Sequence, residues 1–366
     1  MMTGGDANLK SLVLLCLEDD PELRPSAIDI SERTKRMVEE CRKETTYDGM
    51  DPISWLAEQA SDARHIIQQQ SKFTTPNLFA GPVTIKWKEG PPAPSSRMIH
   101  SAVMFNGSIY VGGGITEKEQ ATYCVDIYHS DTNKWDTIDT PHHLFCLVVL
   151  LSKLLIVGGS DRNGRYTKKV LALESGEWID YTEMPSARSY VGAVSHHSMM
   201  IVVGGYRDEA LAVVELFDGS TGEWFICDDL PRPLEYPQAV VLGNMIYVLD
   251  KLENIINASS LHSLFDHNLQ WHCLTDMPHN SSSAVVLNNK YLLVLGGLLL
   301  NNGRSSDEIV TLNSISTEWI SSAKIPEALS YTAVVCDDSH RLVVIGGCEE
   351  GRLVGTSRVW LGSFEL

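Results

Sequence analysis

A glycine pair placed after a short apolar run, recurring at a near-constant interval, constrains this chain more than any other feature. It appears in "SIYVGGG", "KLLIVGGS", "MMIVVGGY", "KYLLVLGGL" and "RLVVIGGC", at Gly112 with Gly113, Gly158 with Gly159, Gly204 with Gly205, Gly296 with Gly297, and Gly346 with Gly347. The gap of 92 between Gly204 and Gly296 is twice 46, so a degenerate unit is expected between them, and "NMIYVLDKL" supplies it with Leu249 and Asp250 at the glycine places. The arithmetic gives six units of about 46 residues. A second landmark keeps step: Trp135, Trp178, Trp224, Trp271 and Trp319 follow the glycine positions, each with a proline six or seven residues later. The units therefore repeat along their whole length.

Turns such as "SDTNKW", "LESGEW" and "DGSTGEW" precede the tryptophans and carry the Asn and Gly chemistry that closes hairpins, so each unit reads as four short strands. An apolar run without alternation, as in Leu154 to Val157, suits a strand buried on both faces, as when one small sheet packs on the next. The tryptophan is expected to fill the space between sheets. Radial stacking of four-stranded sheets is the propeller answer to exposed edges. The sixth unit lacks a tryptophan before Leu366, but "TIKWKEGPPAP" offers Trp87 and, seven residues on, Pro94. The N-terminal strand is thus expected to complete the last blade.

Glycine pair, downstream tryptophan and following proline together resemble kelch repeats, covering residues 81 to 366. The resemblance implies a mainly β, six-bladed kelch β-propeller with a short α-helical N-terminal extension. It also implies a non-catalytic module that binds a protein across the end where loops converge, with an acidic peptide, actin or a ubiquitin-ligase component as candidate partners. Aligning the unit starts places Arg97, His142, Arg188, Leu234, His279 and Ala328 together, five residues before Ala102, Leu147, Ala193, Ala239, Ala284 and Ala333. Arginines of this kind grip acidic ligands in kelch adaptors, so Arg97 and Arg188 are the leading contact candidates by resemblance, followed by His142 and His279. A role in packing or in solvating a turn is the competing reading. Acidic loops at "GITEKEQ", "YRDEA" and "CEEGR" would give that face mixed charge. Tyr110, Tyr128, Tyr190, Tyr206 and Tyr331 read as strand residues.

Upstream, Cys16, Asp20, Pro21, Arg24 and Pro25 resemble the signature near the end of protein kinase catalytic domains of the tyrosine-kinase-like group. The same residues would also serve an ordinary helix start. The glycine-rich loop, H-R-D loop, D-F-G triplet and A-P-E motif are missing, and "VTIK", ending at Lys86, lies inside the closing strand, so no phosphotransfer is expected. Residues 1–45 are read as a kinase C-lobe-like helical remnant or as the tail of a longer kinase-plus-propeller protein. One helix is capped by Ser26 and carries the stripe Ile30, Thr34, Met37, Val38 and Cys41. A second amphipathic helix starts at Asp51 and Pro52, and a linker brings the segment 46–80 to the propeller.

Charge and composition narrow the partners. The formal net charge of -18, with nine basic against fourteen acidic side chains in residues 1 to 80, argues against nucleic acid or an anionic membrane surface. No run approaches the roughly 18 apolar residues of a membrane span. Eight scattered cysteines without C-x-x-C point to a reducing, cytoplasmic setting. No cofactor or metal is expected: His142 with His143, and His196 with His197, are chain neighbours that would point to opposite faces if extended. Copper-oxidase propellers share kelch-like repeats, but no ligand set for that chemistry is recognisable.

Overall fold

Each apolar run is too short to make a helix and is buried on both faces, as in Lys153–Val157, where four of the five side chains are inaccessible. The computed structural model describes residues 84–364, apart from 117–121, 244, 250–254, 261–268, 270, 290, 313–318 and 350–354. The chain divides into two compact units, Met1–Leu78 and Phe79–Leu366. The kinase-like segment 1–45 and the helix and linker of 46–80 lie outside the described residues.

The described residues form six four-stranded antiparallel sheets and two small two-stranded sheets. Sheet 1 runs through Ser101–Phe105, Ser108–Gly112, Cys124–His129 and Lys134–Asp139. Sheets 2 to 5 repeat the order, with first strands Cys146–Leu150, Gly192–His196, Gln238–Leu242 and Ser283–Leu287. The interval without a glycine pair holds sheet 4, whose second strand is Met245–Leu249. Sheet 6 combines Ala333–Cys336, Leu342–Ile345 and Val359–Phe364 with the N-terminal strand Ile85–Glu89, which pairs Trp87 with Gly362. First strands neighbour one another in chain order, and that of sheet 6 returns to that of sheet 1. The described residues are a mainly β propeller.

Two kinds of tie join neighbouring sheets. The tryptophan of each outer strand packs backward into the apolar cluster shared with the preceding sheet: Trp135 with Val343 and Val359, Trp178 with Val125 and Phe145, Trp224 with Val157 and Met200. Its indole N–H often reaches the same neighbour, as from Trp87 to the Lys324 carbonyl (2.8 Å), Trp135 to Pro91 (3.0 Å), Trp224 to the Thr182 hydroxyl (3.0 Å) and Trp271 to Asp228 (3.1 Å).

The glycine pair makes the second tie. The N–H of its second member donates forward to the next sheet's entry loop: Gly159 to the carbonyl of Arg188, Gly205 to Leu234, Gly297 to Leu329 and Gly347 to Arg97, at 2.8 to 3.0 Å. Both members take positive φ, 55° and 101° at Gly204 and Gly205, and a Cβ on Gly205 would lie 2.6 Å from the Ser189 carbonyl oxygen. This geometry corrects two alignments. In sheet 1 the left-handed pair is Gly113 and Gly114 (φ 70° and 76°), because Gly112 is still strand. In sheet 6 the residue equivalent to Arg97 and Arg188 is Leu329, not Ala328.

Candidate partner-binding face

Six first strands converging on one axis leave a channel of about 420 Å³, and the small or apolar positions Ala102, Leu147, Ala193, Ala239, Ala284 and Ala333 all line it. Side chains satisfy backbone groups on the inner strands that have no neighbouring strand to pair with. The Gln238 amide accepts from the Ala284 N–H and donates to its carbonyl (2.9 and 2.8 Å), and Ser101 accepts from the Leu147 N–H (3.1 Å).

The arginines singled out from the sequence do not face a ligand. Arg97 is 1% exposed, and its Nη2 donates to Asp126 Oδ2 at 2.6 Å while Nη1 donates to the Gly113 and Cys124 carbonyls. Arg188 is fully buried, with Nη2 2.9 Å from Glu215 Oε2 and further donations to the Val202 and Val213 carbonyls. Burial draws the Arg188 guanidinium downward and pushes the Glu215 carboxyl upward, and each ion opposes the other's shift. Both arginines therefore tie the first strand's entry loop to the third strand of their own sheet.

The two histidines are inside as well. His279 is buried with Nε2 3.3 Å from Glu308 Oε2, and burial lowers its pKa against the pull of that carboxylate. His142 is buried and lowered, chiefly by desolvation and then by Lys169. Its neighbour His143, half-buried against Tyr123 at 4.8 Å, is lowered to about 4 by burial and by His142. His196 and His197 do not point apart: His197 is left-handed (φ 54°) and the rings lie 4.1 Å from each other. Among the described residues no group of three His, Cys, Asp or Glu is placed to hold a metal ion.

What surrounds the channel mouth was missed by residue-type reasoning. Two positions after five of the six Arg97-equivalent residues, Ile99, Leu144, Tyr190, Ser281 and Tyr331 adopt left-handed φ, between 53° and 55°; in sheet 4 Tyr236 does not. Such a conformation is costly for side chains of this kind, and for Ile99 it is a true outlier. Tertiary bonds hold the collar. The N–H of Ile99 donates to Tyr331, that of Tyr331 to Ser281, and that of Tyr190 to Leu144, at 3.2, 2.9 and 2.8 Å.

Tyrosines crowd this mouth. Tyr190 and Tyr236 meet edge to face at 4.5 Å. Burial first, then Glu235 and Tyr166, pushes Tyr190 up to about 12, and burial with a hydrogen bond to Glu235 raises Tyr236. Around them the loops of sheets 1 to 3 interlock: the Tyr123 hydroxyl donates to the Asp161 carbonyl (3.4 Å), Arg162 lies 4.7 Å over the Tyr123 ring, and Tyr166 meets Tyr206 at 6.3 Å. Arg162, Arg165 and Arg207 are exposed beside these rings. Of the five tyrosines read as strand residues, Tyr110 and Tyr128 lie in sheet strands, Tyr206 opens a two-residue hairpin strand, and Tyr190 and Tyr331 belong to the collar.

Residues 81–249 match the KLHDC2/KLHL20/DRC7 Kelch-repeats domain. The match places kelch repeats in that segment of the β-propeller. The propeller is similar to Kelch-like protein 41b of Danio rerio, 29% identical over 148 residues that cover 39% of this chain and 24% of that protein. It is also similar to Kelch-like protein 40 of Xenopus tropicalis, 26% identical over 47% of this chain and 30% of that protein, and to human Kelch-like protein 23, 28% identical over 46% and 31%. The matched segment thus spans about a quarter to a third of those relatives' length. Among solved structures, "Structure of YjhT" superposes with a TM-score of 0.60 at 14% identity, covering 76% of this chain and 99% of that one, and so shares the fold.

Proposed function

We propose that this chain is a non-catalytic protein-interaction module that takes a protein partner on the tyrosine-lined mouth of its kelch propeller. The observation that carries the reading is the pairing of Arg162 with Tyr123 and of Tyr166 with Tyr206, with Arg207 exposed next to Tyr206, on loops of three successive sheets. Tyrosine and arginine are the residues that concentrate binding energy at protein interfaces, because each offers a wide rigid face with a polar end. The exposed guanidinium groups favour an acidic segment among the candidate partners, ahead of actin or a ubiquitin-ligase component. Kelch-repeat proteins are generally scaffolds rather than enzymes, which agrees with this use of the fold. None of the six described cysteines is in a disulfide, which fits work in the cytoplasm.

The test is affinity capture from lysate with the whole chain and with its Arg162→Ala plus Tyr206→Ala variant, after circular dichroism shows both folded. Recovery of the specific partners is expected to fall at least about tenfold, the equivalent of about 1.4 kcal/mol. Undiminished recovery would move the binding surface elsewhere.

A second reading rests on Cys16, Asp20, Pro21, Arg24 and Pro25: the chain as the C-terminal part of a protein kinase fused to the propeller. A longer transcript encoding H-R-D and D-F-G motifs upstream would establish it, and transcripts that all lack them would dismiss it.

A further inference from the structure

The closing strand carries a feature absent from every other repeat. Around the repeat tryptophans the flanking pairs are Lys134 and Asp136, Glu177 and Ile179, Glu223 and Phe225, Gln270 and His272, and Glu318 and Ile320, whereas Trp87 lies between Lys86 and Lys88. Strand alternation sends Trp87 toward sheet 5 and both lysines to the other face, toward sheet 1. Their register partners Ser363 and Leu361 share that face.

Facing them across the seam is the hairpin of sheet 1 that carries Ser130 and Asn133, together with Arg341 from the first turn of sheet 6. These groups enclose an open cavity of about 470 Å³ whose described lining includes Lys86, Lys88 and Arg341 and no Asp or Glu, in a chain of net charge -18. Of the three cations, Arg341 is engaged by Asp337, at 2.7 and 2.8 Å from its Nη2 and Nε, and Lys86 has a partner of its own, so Lys88 is the cation to test. Ser130 supplies an independent sign. Its hydroxyl oxygen is buried at this cavity and has no hydrogen-bond partner among the described residues. A buried hydroxyl is rarely left so, because the missing bond costs about 1–3 kcal/mol.

We propose that this seam cavity binds a phosphate-class oxyanion. Lysine ammonium groups supply the charge, and hydroxyl and amide donors such as Ser130 and Asn133 supply direction. The volume admits a phosphomonoester as readily as the free ion, and the entrance lies on the side opposite the tyrosine mouth, since the turns that carry Ser130 and Arg341 are at the other strand ends.

The experiment is titration calorimetry of the full chain with inorganic phosphate and with phosphoserine at constant ionic strength in chloride, repeated on Lys88→Glu and Ser130→Ala. Saturable binding is expected in the wild type, weakened at least tenfold by Lys88→Glu and about tenfold by Ser130→Ala, with melting in phosphate-free buffer unmoved. Tighter binding of phosphoserine would name a phosphorylated molecule as the source, and equal affinities would name the free ion. Absence of saturable binding by either ligand, or affinities unchanged in both variants, would overturn the proposal. Because Lys88 is exposed and Ser130→Ala removes one oxygen, folding of the variants is not at stake.

Discussion

Arg188→Ala removes a cation from beside a carboxylate that has nowhere to go. Glu215 is 1% exposed and would keep only Ser186, whose hydroxyl donates to Oε1 at 2.5 Å. Breaking one side of such a buried pair costs about 3–5 kcal/mol, whereas exchanging both partners for apolar residues of similar size is often tolerated. Arg188→Ala is therefore expected to lower the unfolding free energy from urea denaturation by that amount, and Arg188→Met combined with Glu215→Leu to recover most of it; a single variant as stable as the wild type would refute the structural role. Charge reversal at Arg97 or Arg188 would set two carboxylates together and test folding rather than binding. The repeated position of these arginines is legible from spacing, but their fate is not. Asp126 and Glu215 lie 29 and 27 residues downstream, on third strands, where periodicity gives no hint of a charged partner facing inward.

Strands, turns and tryptophan contacts follow closely from local pattern, because a four-residue apolar run between turns has few other ways to be buried. The glycine register in sheet 1 does not. "VGGG" offers three glycines, and only the tertiary contact decides: Gly112 ends a strand against Phe145 and Val125, while Gly113 and Gly114 take the left-handed conformation. The collar of Ile99, Leu144, Tyr190, Ser281 and Tyr331 is equally invisible, since its members share a backbone conformation and no side-chain chemistry. The distinction between a glycine needed for a turn and one needed for contact is measurable. Gly176 has φ 85° with nothing within 4 Å of a new Cβ, so Gly176→Ala should cost only the left-handed penalty of about 1 kcal/mol. Gly205→Ala adds a clash with the Ser189 carbonyl and strains the Gly205 N–H bond to Leu234, and is expected to cost at least about 2–3 kcal/mol. Equal losses in thermal unfolding would show that the glycine pair is not the inter-sheet tie assigned to it.

At the scale of the whole molecule the propeller depends on one strand arriving from the far end of the sequence. Ile85–Glu89 pairs along its full length with Val359–Phe364, Gly90 and Ala93 extend the seam by bonding to the Val359 and Ser357 carbonyls (2.8 and 2.7 Å), and the Gly347 N–H reaches Arg97 (3.0 Å). The ring of Trp87 lies so close to Gly362 that a Cβ there would meet it at 2.6 Å. A chain beginning at Phe79 keeps this seam, and one beginning at Pro91 loses it. The second truncation exposes the backbone edge of Val359–Phe364 and removes Trp87 from the cluster of Leu293, Val334 and Val344. Loss of a packed tryptophan alone costs about 3–5 kcal/mol, comparable to much of the 5–15 kcal/mol by which a typical domain is stable. Calorimetry is expected to show a cooperative transition for the chain starting at Phe79 and none for the chain starting at Pro91, with light scattering reporting edge-to-edge association of the latter. A monomeric protein that still melts cooperatively without Ile85–Glu89 would mean that the remaining sheets hold their ring open-ended, and that the N-terminal strand covers an edge without closing the molecule.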